Sequence, residues 1–126
     1  MRLYWKLKDW WFDIHMWWQR KTRGYSDLEI WNLDYTISKW IVPRLKAFQE
    51  GTIGYPPEIE FDEWKNELDE MIFGFEFDGP EWYEKNVFHI KDRAKKEAKL
   101  EMYKDLCKRA EDGRILFAKR FDHLWW

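Results

Sequence analysis

The sequence has little of what builds disulfides, β-sheets or membrane spans. Its single cysteine, Cys107, excludes an internal disulfide and a zinc site with four cysteine ligands. Two valines, three threonines and no hairpin signal between alternating apolar runs give little indication of β-strands. No run approaches the ~18–20 apolar residues of a membrane-spanning helix, and the charged start lacks the apolar region of a secretory signal peptide. We therefore expect an all-α, cytoplasmic protein.

Aromatic and charged residues are abundant instead. Phe, Trp and Tyr make up 21% of the 126 residues, with 11 Trp among them, and 37% of residues are charged. Residues 1–23 carry six basic and two acidic groups, residues 49–90 two basic and twelve acidic, and residues 91–126 eleven basic and seven acidic. This layout predicts basic and acidic faces that pair within the fold or between subunits, although solvated helix surface gives the same pattern. The net charge of −2 disfavours direct nucleic-acid binding.

Apolar residues at helical spacing predict two helices in the first half of the chain. The first covers about residues 2–21. The second opens with a capping box between Ser26 and Glu29 and ends near Gly51. Pro43 lies inside this second helix, where it removes a backbone hydrogen bond and predicts a kink.

Two more helices are predicted in the second half. The third begins near Asp62 as its N-cap and carries an apolar stripe that ends at Phe75. The last covers about residues 81–125, because its apolar stripe keeps its phase across Gly113, where glycine lets a neighbouring helix approach closely. A helix of that length would extend ~65 Å, so we expect it either to break or to project into a partner subunit.

Together these segments predict one helical domain over residues 1–126. It would be a compact, oligomeric bundle with a kinked second helix and a long C-terminal helix. Residues 1–23 form its Trp-rich basic helix and residues 24–126 its core.

Catalytic motifs are missing from the sequence. It has no glycine-rich phosphate loop, no His-Glu-x-x-His and no Gly-x-Ser-x-Gly, and its three histidines are far apart. Glu63, Glu67 and Glu70 share a helix face, which would suit acid–base chemistry or Mg²⁺ but is equally typical of a solvent-facing helix. We expect a non-enzymatic protein without metal or cofactor.

The best binding candidate is the aromatic and basic stretch of residues 17–25. Aromatic rings can stack on bases, and Arg side chains can contact phosphates. The same composition fits an anchor for a protein partner, a helix lying in a membrane surface, or simple burial of Trp17 and Trp18 in the core. Asp34 lies among aromatics, where a carboxylate needs a partner, so we expect a buried structural pair or a ligand contact. The candidate ligand-binding residues are Trp17, Trp18, Arg20, Arg23, Tyr25, Trp31, Asp34 and Tyr55.

Four short stretches carry a family resemblance: Arg23-Gly24-Tyr25-Ser26-Asp27, Trp31-Asn32-Leu33-Asp34, Pro43-Arg44-Leu45-Lys46 and Gly54-Tyr55-Pro56. In them the chain resembles small uncharacterised proteins of tailed bacteriophages. The resemblance covers most of residues 23–126 but not the Trp-rich first twenty. It implies a phage accessory protein that acts in the cytoplasm of the host bacterium.

Two functions are consistent with these observations. The first is sequestration of a nucleotide-type signal of host defence, with aromatic residues holding the base and arginines the phosphate. The alternative is an inhibitor or adaptor that binds a host or phage protein through its aromatic and acidic surfaces. In both cases we expect a homo-oligomer.

Overall fold

The computed structural model describes residues 2–125, and every regular element in that range is a helix. The six α-helices are α1 (Arg2–Arg23), α2 (Asp27–Trp31), α3 (Leu33–Gly51), α4 (Phe61–Glu76), α5 (Gly79–Asn86) and α6 (Arg93–Lys119). A short 3₁₀ turn, Phe121–His123, follows α6. The all-α prediction is confirmed for this range. None of its helices has both the length and the apolar character needed to cross a membrane.

The chain divides into two compact units, Met1–Ser38 and Lys39–Trp126. In the first unit, α1 and α2 are joined by a tight turn at Gly24, whose φ of 86° suits glycine. The Gly24 N–H donates to the Arg20 carbonyl oxygen at 3.0 Å, which closes the end of α1. The Ser26 N–H donates to the Glu29 carboxylate, so the Glu29 half of the expected capping box is confirmed.

The expected second helix consists of two helices, α2 and α3. The interruption lies at Asn32, whose φ of −117° and ψ of 60° are not helical. Asparagine side chains compete with helical backbone hydrogen bonds, which makes this a favourable place for a break. α3 then continues through Pro43 to Gly51, and the kink at Pro43 stays a prediction.

The core of the second unit is centred on α4. Trp64, Leu68 and Met71 of this helix are fully buried and pack with Ile72 and with Leu45 from α3. This confirms the apolar stripe expected on α4, although the helix begins slightly earlier than predicted, with Glu60 rather than Asp62 as its N-cap.

α4 and α6 run antiparallel and cross with their backbones in contact. A Cβ atom on Gly113 would lie 2.1 Å from the Glu70 carbonyl oxygen, and one on Gly74 would lie 2.8 Å from the Ala110 carbonyl oxygen. The close approach expected at Gly113 is confirmed, and α6 is continuous through this residue.

Of the two outcomes expected for a helix over residues 81–125, a break and a projection into a partner subunit, the break is present. α5 ends at Asn86, and α6 begins only at Arg93 and ends at Lys119. The Asp92 side chain starts α6 by accepting hydrogen bonds from the backbone N–H groups of Ala94 and Lys95, at 2.9 and 3.2 Å. This cap stabilises a helix start at a position that the sequence analysis did not identify.

Candidate functional site

The outward side of α1 is an exposed apolar surface. We call this surface the aromatic face; it consists of Leu3, Tyr4, Leu7, Trp10, Trp11, Ile14, Trp17 and Trp18, all exposed. The side chains of Trp17 and Trp18 are 55% and 59% exposed, which excludes the alternative that they are core residues. Met16, on the opposite side of the helix, is buried. The side of α1 that the fold covers is therefore not the side that carries most of its tryptophans.

Arg23 is held in place at the corner between α1 and α2. Its guanidinium lies 4.6 Å from the centre of the Tyr25 ring, its Nε donates to the Tyr25 carbonyl oxygen at 3.0 Å, and it forms an ion pair with Asp27. Gln19 donates to the Asp27 carboxylate and accepts from the Asp27 backbone N–H, both at 2.8 Å. These hydrogen bonds from Gln19 and Arg23 hold the pKa of Asp27 below its usual range.

Arg20 lies next to this corner with a looser counterion. Its Nε is 3.7 Å from the Glu29 carboxylate. The hydrogen bond from the Ser26 N–H, with a smaller contribution from Arg20, holds the pKa of Glu29 below its usual range. An anionic ligand at Arg20 or Arg23 would therefore compete with a carboxylate. Because exposed ion pairs contribute only about 0–1 kcal/mol, exchanging them would cost little.

Of the remaining candidate residues, Trp31 and Asp34 belong to the first unit and Tyr55 to the second. Trp31 ends α2 with 84% of its side chain exposed. Asp34 is exposed as well, so the buried pair expected for it is wrong. The break at Asn32 places Asp34 in the first turn of α3, where a carboxylate interacts favourably with the helix dipole. Tyr55 belongs to the second unit, where its ring packs edge-on against Phe61 with centroids 5.8 Å apart.

The acidic α4 and the basic α6 pair within the second unit. Arg109 donates to both carboxylate oxygens of Glu70, at 2.9 and 2.8 Å, and Arg120 to both of Glu67, at 2.8 and 3.1 Å. Arg114 also donates to the Gly74 carbonyl oxygen at 2.7 Å. Some of the acidic and basic charges thus neutralise each other within the second unit, and Glu67 and Glu70 are already engaged in ion pairs. Residues 2–125 contain no cluster of three or more His, Cys, Asp or Glu side chains placed to hold a metal ion.

Sequence reasoning placed the candidate site around residues 17–25 and overlooked the N-terminal half of the aromatic face. Leu3, Leu7, Trp10, Trp11 and Ile14 were treated as an ordinary helix stripe. The available signal was the density of tryptophan beside Lys6 and Lys8, which is unusual for a stripe that packs in a core.

Comparison with protein-family models, curated proteins and solved structures finds no match for this chain. The resemblance to small phage proteins stays a prediction.

Proposed function

We propose that this chain is a non-enzymatic binding protein that engages its partner through the aromatic face of α1. The observation that supports the proposal is the exposure of this face along most of a 22-residue helix. Contiguous apolar surface of this kind is typical of an interaction site, and aromatic side chains contribute strongly to binding when they leave water. Following the phage resemblance, we place this activity in an accessory protein of the bacterial cytoplasm.

The geometry favours an extended partner over a nucleotide. The rings of the aromatic face lie along one side of a helix, where they offer a broad exposed surface. The arginines that a phosphate would need already face Asp27 and Glu29. We therefore rank an inhibitor or adaptor that binds an extended partner above a protein that sequesters a nucleotide.

Nucleotide sequestration remains a second candidate because of one feature, the Arg23–Tyr25 stack. A guanidinium held against an aromatic ring presents a cation and a stacking surface side by side. Calorimetric melting against cyclic and ADP-ribose-type nucleotides tests this candidate. A ligand at about 100 times its Kd adds ~2.7 kcal/mol of stability, and Arg23→Ala should remove that gain. A panel without any shift would exclude it.

The leading proposal is tested with variants on two sides of the same helix. In a pull-down from bacterial lysate, we expect the double variant Trp11→Ala/Trp18→Ala to lose any partner that wild type binds saturably, because both side chains belong to the aromatic face. Trp5→Ala, on the other side of α1, is the matched control and should capture as wild type does. All three side chains are more than half exposed, so the variants should keep wild-type helicity in circular dichroism. Equal capture by wild type and the double variant would contradict the proposal.

A further inference from the structure

The aromatic face occupies one continuous side of α1. At 100° per residue its side chains cover an arc of about 140°. Trp5 and the buried Met16 lie outside the arc, on the far side of the helix. The helix is amphipathic although its average hydrophobicity is low, because most of the remaining positions hold charged or other polar residues, with Trp5, Phe12 and Met16 as the apolar exceptions. These are the properties of helices that lie in the plane of a membrane surface.

The charges of α1 are arranged around this face in an ordered way. Lys6 lies at one edge of the face, and Lys8 lies near the other edge with its Nζ 5.5 Å from the ring of Trp5. Lys21 lies at the C-terminal end of the face with its Nζ 5.8 Å from the Trp17 ring. Of the two acidic residues of the helix, Asp9 lies on the opposite side, and Asp13 lies between Asp9 and Lys6, near the same edge as Lys6. Arg20 and Arg23 are paired with carboxylates, so the three lysines are the positive charges that border the face.

We propose that α1 binds an anionic lipid surface, with the aromatic face at the boundary between headgroups and acyl chains. This inference rests on the proposed function, since it identifies the partner of the same face. Tryptophan favours this boundary because its ring is apolar while its indole N–H can hydrogen-bond. The lysines beside the face would contact anionic headgroups, and Asp9 would point away from them.

Charge argues for lipid over a second copy of this chain on the same face. Two copies meeting in parallel through their aromatic faces would bring Lys6, Lys8 and Lys21 of both chains together. An anionic bilayer instead complements these lysines along the whole helix, and its fluid surface accommodates eight side chains without a matching shape.

Co-sedimentation of the full chain with vesicles tests the inference. We expect partitioning into vesicles of phosphatidylglycerol and phosphatidylcholine, and much weaker partitioning into phosphatidylcholine alone. Trp11→Ala and Trp18→Ala should each lower the partition coefficient about tenfold, since each removes a buried aromatic ring. Lys6→Gln and Lys8→Gln should each lower it about fivefold and reduce the preference for anionic lipid. Trp5→Ala, the matched control, should partition like wild type.

The outcomes separate this inference from the proposed function. Absence of binding to anionic vesicles, or equal losses in Trp5→Ala and Trp18→Ala, overturns the lipid inference. A second outcome is that the wild-type chain does not bind vesicles but forms a protein complex, or a concentration-dependent dimer in sedimentation, that Trp11→Ala/Trp18→Ala abolishes. In that case the aromatic face is still a binding site, and its partner is a protein. If neither vesicles nor any partner depends on these side chains, the proposed function fails as well.

Discussion

At the scale of single residues, arginine side chains connect the two main helices of the second unit. The Arg120 side chain is only 14% exposed and reaches two carboxylates, Glu67 and Glu58. Arg109 is more exposed and lies 4.0 Å from the centre of the Phe73 ring while it pairs with Glu70. Water screens the Arg109 pair more strongly, so we expect the Arg120 pair to contribute more to stability.

The Glu70–Arg109 pair predicts a specific dependence of stability on pH. Hydrogen bonding to Arg109 holds the pKa of Glu70 below its ordinary value near 4.5. A lowered carboxylate pKa adds stability that is fully present above the unfolded-state value and is lost as pH falls through the folded-state value. Glu70→Gln should therefore lower the free energy of unfolding by less than about 1 kcal/mol at pH 7, and this difference should shrink below pH ~4.5.

Urea unfolding of both proteins at a series of pH values measures this effect. Glu84→Gln, at an exposed position on α5, is the matched control and should follow wild type throughout. A difference between Glu70→Gln and wild type that stays constant down to pH ~3 would show that the pair does not cause it.

At the scale of helices, the crossing of α4 and α6 sets a strict size limit. Gly113→Ala places a Cβ atom against the Glu70 carbonyl oxygen, so the two backbones must separate. We expect a loss of about 1–3 kcal/mol in the free energy of unfolding, measured by urea denaturation. Gly54→Ala is the control, because its added Cβ would meet nothing within 4 Å. Similar unfolding midpoints for the two variants would be inconsistent with the tight crossing.

Some features of the helices could be predicted from the sequence, and others could not. The apolar stripe of α4, the Glu29 cap and the close approach at Gly113 follow from spacing and local chemistry, and the structure contains all three. The break at Asn32 was not predicted, because the apolar spacing continues across it from Ile30 to Leu33 and Ile37. The break expected within residues 81–125 could not be placed before Asp92. Whether a helix breaks depends on which backbone N–H and C=O groups find hydrogen-bond partners. The spacing of apolar residues contains no information about these partners.

At the scale of the whole chain, all five residues of the main buried cluster lie in Lys39–Trp126. The helix spacing of α1 predicted an apolar side correctly but could not show that this side stays exposed. Periodicity reports that a face is apolar and does not identify what covers it. For this reason the sequence could propose a candidate site on α1, while the extent of the aromatic face and the exposure of Asp34 became evident only in three dimensions.

Because the main buried cluster lies entirely in Lys39–Trp126, we predict that a fragment of residues 33–126 folds by itself. The fragment keeps α3 intact and contains every member of the buried cluster. We expect cooperative urea unfolding with a midpoint close to that of the full chain, followed by circular dichroism at 222 nm. A broad, non-cooperative transition would show that residues 1–32 are required for the core.

The position of the tryptophans has a consequence for the light that the folded protein emits. Trp64 is fully buried, whereas the five indoles of α1 are in contact with water. Fluorescence of the native state should therefore combine a red-shifted contribution that iodide quenches readily with a blue-shifted one, from Trp64, that iodide does not reach. Transfer of the α1 indoles into a lipid surface would move their part of the first contribution to shorter wavelength. The exposed Trp31, Trp40 and Trp125 would stay red-shifted, and the contribution of Trp64 would be unchanged. The same optical spectrum can therefore report separately on what happens at α1 and in the core.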